Sequence, residues 1–127
     1  MKSKKKKLLS KSYLVWFSCF IVLVDWYLQF ANRARGYGVE NRGVSFGLGG
    51  DIGTHLRFVL PLFLLLAVIF LWKRGMLGSL FLGLLLIGGV GNMIPRMVWG
   101  YVWDYIHIPL FELWINLSDV LISVSAV

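Results

Sequence analysis

The chain has 127 residues, of which 58% are hydrophobic and only 15% charged, with a net charge of +7 and one cysteine; its mean hydropathy is +0.75. Soluble domains run nearer a quarter charged, so a disordered chain, a nucleic-acid-binding domain and a soluble enzyme all fit poorly, and no nucleic-acid partner is expected. Cys19 alone supports neither a disulfide framework nor a zinc-type cluster.

The first 11 positions hold six of the 13 basic residues (Lys2, Lys4, Lys5, Lys6, Lys7 and Lys11), just before an apolar run. Such a tail marks the cytosolic end of a membrane protein and touches anionic lipid. Residues 1–12 therefore read as a cytosolic tail and 13–31 as a first span, interrupted by Ser18, Asp25 and Gln29. A secretory signal peptide opens in the same way, but apolar character resumes past Asp25 with Trp26, Tyr27, Leu28 and Phe30, so a retained span is expected. Residues 32–55 form an outer loop in which Gly36, Gly38, Gly43, Gly47, Gly49, Gly50 and Gly53 favour turns and short strands over helix. Spans two and three are expected at 56–72, with Arg57 and Pro61 near its start, and at 76–94. Residues 95–109 form an outer segment of alternating aromatic and polar residues, and 110–127 a fourth span with Glu112, Asn116 and Asp119 in its first half.

Each span is 17 to 19 residues long, close to the roughly 20 that cross a bilayer core as a helix. The expected fold class is an all-α membrane protein: one domain of four transmembrane helices with a Gly-rich extracytoplasmic loop. If the tail is cytosolic, Lys73 and Arg74 bring the inner basic residues to eight, against five outside (Arg33, Arg35, Arg42, Arg57, Arg96). That bias predicts both termini in the cytosol. All six acids (Asp25, Glu40, Asp51, Asp104, Glu112, Asp119) and both His55 and His107 then map to the outer side. Function is expected at that face.

A carboxylate in a membrane span costs a few kcal/mol by insertion scales of about +2.5 to +3.5, and is a functional candidate by default. Asp119 lies three residues after Asn116, a spacing that puts both on one helical face. Asp104 lies 15 residues earlier, and Pro109 between them marks a break that lets the chain fold back. Two close carboxyls in a low dielectric cannot both ionise, so one keeps a proton while the other activates water. The same residues also suit a structural acid at a helix start and another capping a loop.

Further motifs surround this pair. Gly88-Gly89-Val90-Gly91-Asn92-Met93-Ile94-Pro95-Arg96, then Gly100-Tyr101-Val102-Trp103-Asp104-Tyr105, then Asn116-Leu117-Ser118-Asp119 resemble lipoprotein signal peptidase, or signal peptidase II. That family carries a GGxxGNxxDR-like run, a GxVxDF/Y-like element and an NxAD-like element in this order. Asn41-Arg42-Gly43-Val44-Ser45-Phe46-Gly47 resembles its outer-loop NxGxxF motif, and Asp25 its first-span aspartate. The chain departs from the pattern at Pro95, where the family usually has Asp, at Gln29, commonly a basic residue, and at Ser118, usually Ala. The resemblance implies that Asp104 and Asp119 are the catalytic pair of an aspartic endopeptidase without cofactor. It implies that Asn92, Arg96 and Asn116 shape the site, with Asp25, Asn41 and Gly43 in support. The implied substrate is a diacylglyceryl-prolipoprotein, cut before its lipidated cysteine at the outer face of a bacterial inner membrane, by a protein that works as a monomer among membrane lipid.

Other readings remain open. Arg96 also suits snorkelling to lipid phosphates, Asp25 a bond between helices, and the glycines close helix packing. Trp26, Tyr27, Trp99, Tyr101, Trp103 and Tyr105 read as an outer interfacial belt, with Tyr13, Trp16 and Trp72 at the inner side. Asp104-x-x-His107 and Asp51-x-x-x-His55 invite a metal, but zinc sites recruit three or four nitrogen- or sulfur-rich ligands, and no metal is expected. The rival functions are an accessory membrane protein, and a small transporter subunit using Asp25 and Asp119 as a proton relay.

Overall fold

The computed structural model of the chain describes residues 2–43 and 56–126, with side chains from residue 12 in the first stretch and from residue 62 in the second. Helix α1 runs from Lys2–Arg35, so the basic tail continues into the first span without a break. Its apolar part, Ser12–Arg35, is 24 residues long and free of Gly and Pro. Gly36 ends it in the left-handed region at φ 69°, while the Gly36 and Tyr37 N–H groups bond back to Arg33 and Asn32 carbonyls. This is a Schellman stop, which needs a residue without a Cβ penalty.

Helix α2 (Leu56–Lys73) and α3 (Ser79–Trp99) follow. The expectation of 76–94 for the third span falls short at its end, because α3 continues through Pro95 and Arg96 into the supposed outer segment. Of the described helices, Ser12–Arg35 and Ser79–Trp99 are both long and apolar enough to cross a membrane. The 21 residues of α3 rise about 31 Å at 1.5 Å each, the thickness of a hydrocarbon core.

Residues 110–127 do not form the expected fourth span. A single 3-10 turn, Pro109–Phe111, leads to Glu112 in the left-handed region at φ 48°. Strand β4 (Leu113–Ile115) then pairs antiparallel with β3 (Ile106–Ile108), in the register Ile106 to Ile115, His107 to Trp114 and Ile108 to Leu113. Helix α4 spans only Leu117–Ser125, nine residues, or about 13 Å. It starts there because Asn116 and Asp119 form a reciprocal capping box: each side chain accepts the other's backbone N–H. A second two-stranded sheet pairs β1 (Val39–Asn41) with β2 (Val102–Asp104). Of the expected outer loop, β1 is the strand that lies within the described residues, while 44–55 lie outside them.

The interior is polar and the exterior apolar. Buried apolar side chains among the described residues are Val22, Leu82, Val102, Tyr105, Ile115 and Leu121, whereas the buried polar ones number ten, from Ser18 to Ser125. Trp16, Phe17, Phe20, Leu23, Tyr27 and Phe30 are exposed along α1. A water-soluble fold reverses this arrangement; surrounding lipid accounts for it. Helices α1, α3 and α4 close on one another through small residues. A Cβ on Gly91 would meet Ser118 Oγ at 2.1 Å, and one on Gly88 would meet Ile122 at 2.8 Å, as expected where helix backbones pack in a membrane.

Candidate active site

Asp104 ends β2, whose alternation turns Val102 and Asp104 inward. Neighbouring Gly38 has φ 117°, and an added Cβ there would lie 2.3 Å from the Asp104 carbonyl oxygen, so a larger residue would push β2 aside. The Asp104 carboxyl is 1% exposed. Its Oδ2 accepts from Asn41 Nδ2 at 2.9 Å and its Oδ1 from Asn116 Nδ2 at 2.8 Å. Asn41 is held in turn by the Gly43 N–H, which donates to its Oδ1 at 3.1 Å.

Asn116 joins this half of the site to the other. Besides Asp104, its Nδ2 donates to Asn92 Oδ1 at 3.0 Å, and its Oδ1 accepts the Asp119 N–H at 2.9 Å. Asn92, on α3, donates from Nδ2 to Asp119 Oδ1 at 2.7 Å, and the Asn116 N–H reaches Asp119 Oδ2 at 3.2 Å. Asn116, Asn92 and Asp119 thus form a closed ring of bonds, with Asp104 attached through the shared asparagine. Arg96 donates from Nη1 to the Asn92 carbonyl at 3.4 Å. Burial pushes the Asp104 carboxyl up to about 7; the Asn41 bond opposes the rise, and the charge of Asp119 adds to it. Asp104 therefore titrates near neutrality.

Asp25, fully buried on α1, does not bond to this ring but braces the elements that carry it. Its Oδ1 accepts from Tyr105 Oη at 2.6 Å and the Leu117 N–H at 3.0 Å; its Oδ2 accepts from Ser118 Oγ at 2.6 Å and Gln29 Nε2 at 2.9 Å. Gln29 Oε1 takes the Trp103 N–H at 3.3 Å. The departures at Gln29 and Ser118 therefore supply two of the donors that hold Asp25. Burial, then the Asp25 charge, raises the Tyr105 phenol and keeps it protonated as a donor.

All eight residues singled out from the sequence (Asp25, Asn41, Gly43, Asn92, Arg96, Asn116, Asp104 and Asp119) lie in this neighbourhood. Tyr105, Ser118, Gln29 and Trp26 also belong to it, although the sequence does not single them out as site residues. Tyr105 is not part of an interfacial belt: it is 8% exposed and faces Asp25. Trp26 donates from Nε1 to the Gly91 carbonyl at 2.9 Å. The Asp25–Gln29 pair was legible from its four-residue helical spacing; the others bond across separations of 65 to 93 residues, where no local pattern reports them. Among the described residues no three His, Cys, Asp or Glu side chains gather as metal ligands. His107 stacks on Trp114 with centroids 4.6 Å apart and Nε2 3.6 Å from Glu112, while Asp104 bonds to asparagines. Asp51 and His55 lie outside the described residues.

Fold and site together define a helical membrane protein whose polar interior gathers three carboxyl groups. The chain belongs to the signal peptidase II family: the family profile described as signal peptidase (SPase) II matches residues 9–127. It is similar to the lipoprotein signal peptidase of Chlorobium phaeobacteroides, 34% identical over 103 residues, covering 68% of this chain and 64% of that protein. That of Lactococcus lactis is 39% identical over 96 residues, covering 70% and 61%. The chain thus spans about three fifths of the length of these curated relatives. Two solved bacterial membrane enzymes share its fold, with TM-scores of 0.69 and 0.60 at 18% and 19% identity. They match 91% of this chain and 83% and 88% of their own.

Proposed function

We propose that the chain is a membrane aspartic endopeptidase that removes signal peptides from diacylglyceryl-modified prolipoproteins, hydrolysing the bond before the lipidated cysteine. The observation that carries this reading is the bonding of Asp104 and Asp119 to one buried bridging residue, Asn116. Near neutral pH the pair holds one proton between its members, as close buried carboxyls do. The charged member takes a proton from water, and the water oxygen attacks the scissile carbonyl carbon. The neutral member gives its proton to the carbonyl oxygen. Collapse of the tetrahedral intermediate breaks the C–N bond as the amine leaves with a proton from the pair. Asn41, Asn92 and Asn116 orient the carboxyls without titrating themselves, and Arg96 offsets part of their charge.

The basic asymmetry of eight inner against five outer residues supports an N-terminus in the cytosol of a bacterial inner membrane and a site near the extracytoplasmic face. That depth suits the substrate. Its signal peptide is itself a membrane helix, and its acyl chains keep the scissile bond at the outer interface. The enzyme needs no cofactor and works as a monomer in this reading.

Purified protein incubated with a diacylglyceryl-modified precursor is expected to release the signal peptide. Processing by both the Asp104→Asn and Asp119→Asn variants would overturn the mechanism. A transporter would depend on Asp25 and Asp119 but tolerate loss of Asp104, and an accessory protein would show no processing.

A further inference from the structure

Pro95 stands inside α3 and is buried. Proline has no backbone N–H, so the carbonyl four residues earlier loses its helical donor. That carbonyl belongs to Gly91, and it receives the indole N–H of Trp26 from α1 at 2.9 Å. A bond that α3 cannot make within itself thus comes from a neighbouring helix. Three helices meet at this residue: a Cβ on Gly91 would lie 2.1 Å from Ser118 Oγ of α4 and 3.2 Å from Val22 Cγ2 of α1. The next residue, Asn92, aims its amide at Asp119, and its carbonyl accepts from Arg96, the residue after Pro95.

We propose that Trp26 is a positioning residue: its indole N–H replaces the donor missing at Pro95 and holds the turn of α3 that points Asn92 at Asp119. Trp26 donates to the Gly91 carbonyl and acts through Gly91 and Asn92. The catalytic consequence rests on the peptidase reading above, whereas the bond itself does not. The proposal ties two positions 69 apart in the chain: the indole matters because residue 95 is proline. Give residue 95 an N–H, and Gly91 regains its helical partner.

The test uses the full chain in detergent, with Trp26→Phe, Pro95→Ala and the double variant. Replacement of Trp26 by benzothienylalanine, which keeps the bicyclic shape and removes only the N–H donor, guards against a simple packing defect. With Pro95 present, both Trp26 replacements are expected to lower the thermal midpoint by several degrees, because a buried carbonyl is left unpaired. They are also expected to shift the Asn92 side-chain amide signal in the nitrogen-15 NMR spectrum. On the prolipoprotein substrate, kcat is expected to fall about tenfold with KM little changed, the effect of a misplaced catalytic group. In the Pro95→Ala background the same Trp26 replacements are expected to be nearly silent in all three readouts. Equal penalties in the two backgrounds, or a benzothienylalanine variant with the stability and Asn92 signal of the parent, would overturn the proposal. Coupling in stability and in the Asn92 signal without any processing by the parent would uphold it and reject the peptidase reading. Processing without coupling would do the reverse.

Discussion

Asp25 and Asp104 are both acids with almost no exposed surface, yet the protein treats them in opposite ways. A carboxylate offers about four lone-pair sites. Those of Asp25 are filled by Gln29, Tyr105, Leu117 and Ser118, donors drawn from α1, the β2–β3 link and the first turn of α4. Among the described residues Asp104 receives two donors, Asn41 and Asn116, and has the charge of Asp119 as a neighbour. A carboxylate solvated on all sides by its own protein acts as a clamp. One held by two asparagines beside a second acid is the member to which the proposed chemistry belongs. Burial alone does not distinguish the two acids; the donors that surround each among the described residues do.

Removing the charge proposed to be catalytic should break this comparison most sharply. Asp104→Asn or Asp119→Asn is expected to lower prolipoprotein processing by about a thousandfold or more, while the protein remains folded in detergent by circular dichroism. Asp25→Ala should do the converse: four donors lose their acceptor, and stability falls by about 3–5 kcal/mol in a denaturation series. Its residual processing, scaled to the folded fraction, should stay well above that of either pair variant.

Acidity gives a third measure. With the Asp104 carboxyl at about 7 against an ordinary 3.8, the unfolded chain releases this proton first as pH rises. The contribution of Asp104 to stability is therefore complete below about pH 4 and is lost as pH climbs through about 7. Asp104→Asn should flatten that slope in thermal melts. The processing rate should also decline on the alkaline side of neutrality, as the pair gives up its shared proton. Ser118→Ala tests the clamp most gently: Asp25 Oδ2 keeps Gln29, and the expected cost is about 1 kcal/mol, with the pH profile unmoved.

Much of this molecule is legible along the chain. Hydropathy locates α1, α2 and α3, because partitioning into lipid is set by a local window of side chains and needs no knowledge of their neighbours. The resemblance to signal peptidase II also singles out Asp104, Asp119, Asn92 and Asn116. Hydropathy fails at 110–127, where an apolar stretch reads alike as span or strand. There the pairing of β4 with β3 and the left-handed turn at Glu112 override the helical reading. The belt reading of Tyr105 fails for a related reason, since an aromatic beside the membrane surface has the same local pattern whether it faces lipid or a buried acid.

Composition and order along the chain by themselves determined a membrane-embedded protein, its basic asymmetry and the acids worth watching. Only the tertiary structure decided which acid is clamped by four donors and which is linked through Asn116 to a second acid, and that Trp26 serves the carbonyl Pro95 cannot. The reason is that transfer into lipid adds up residue by residue, whereas a hydrogen bond exists only where two distant atoms are brought within about 3 Å at a workable angle.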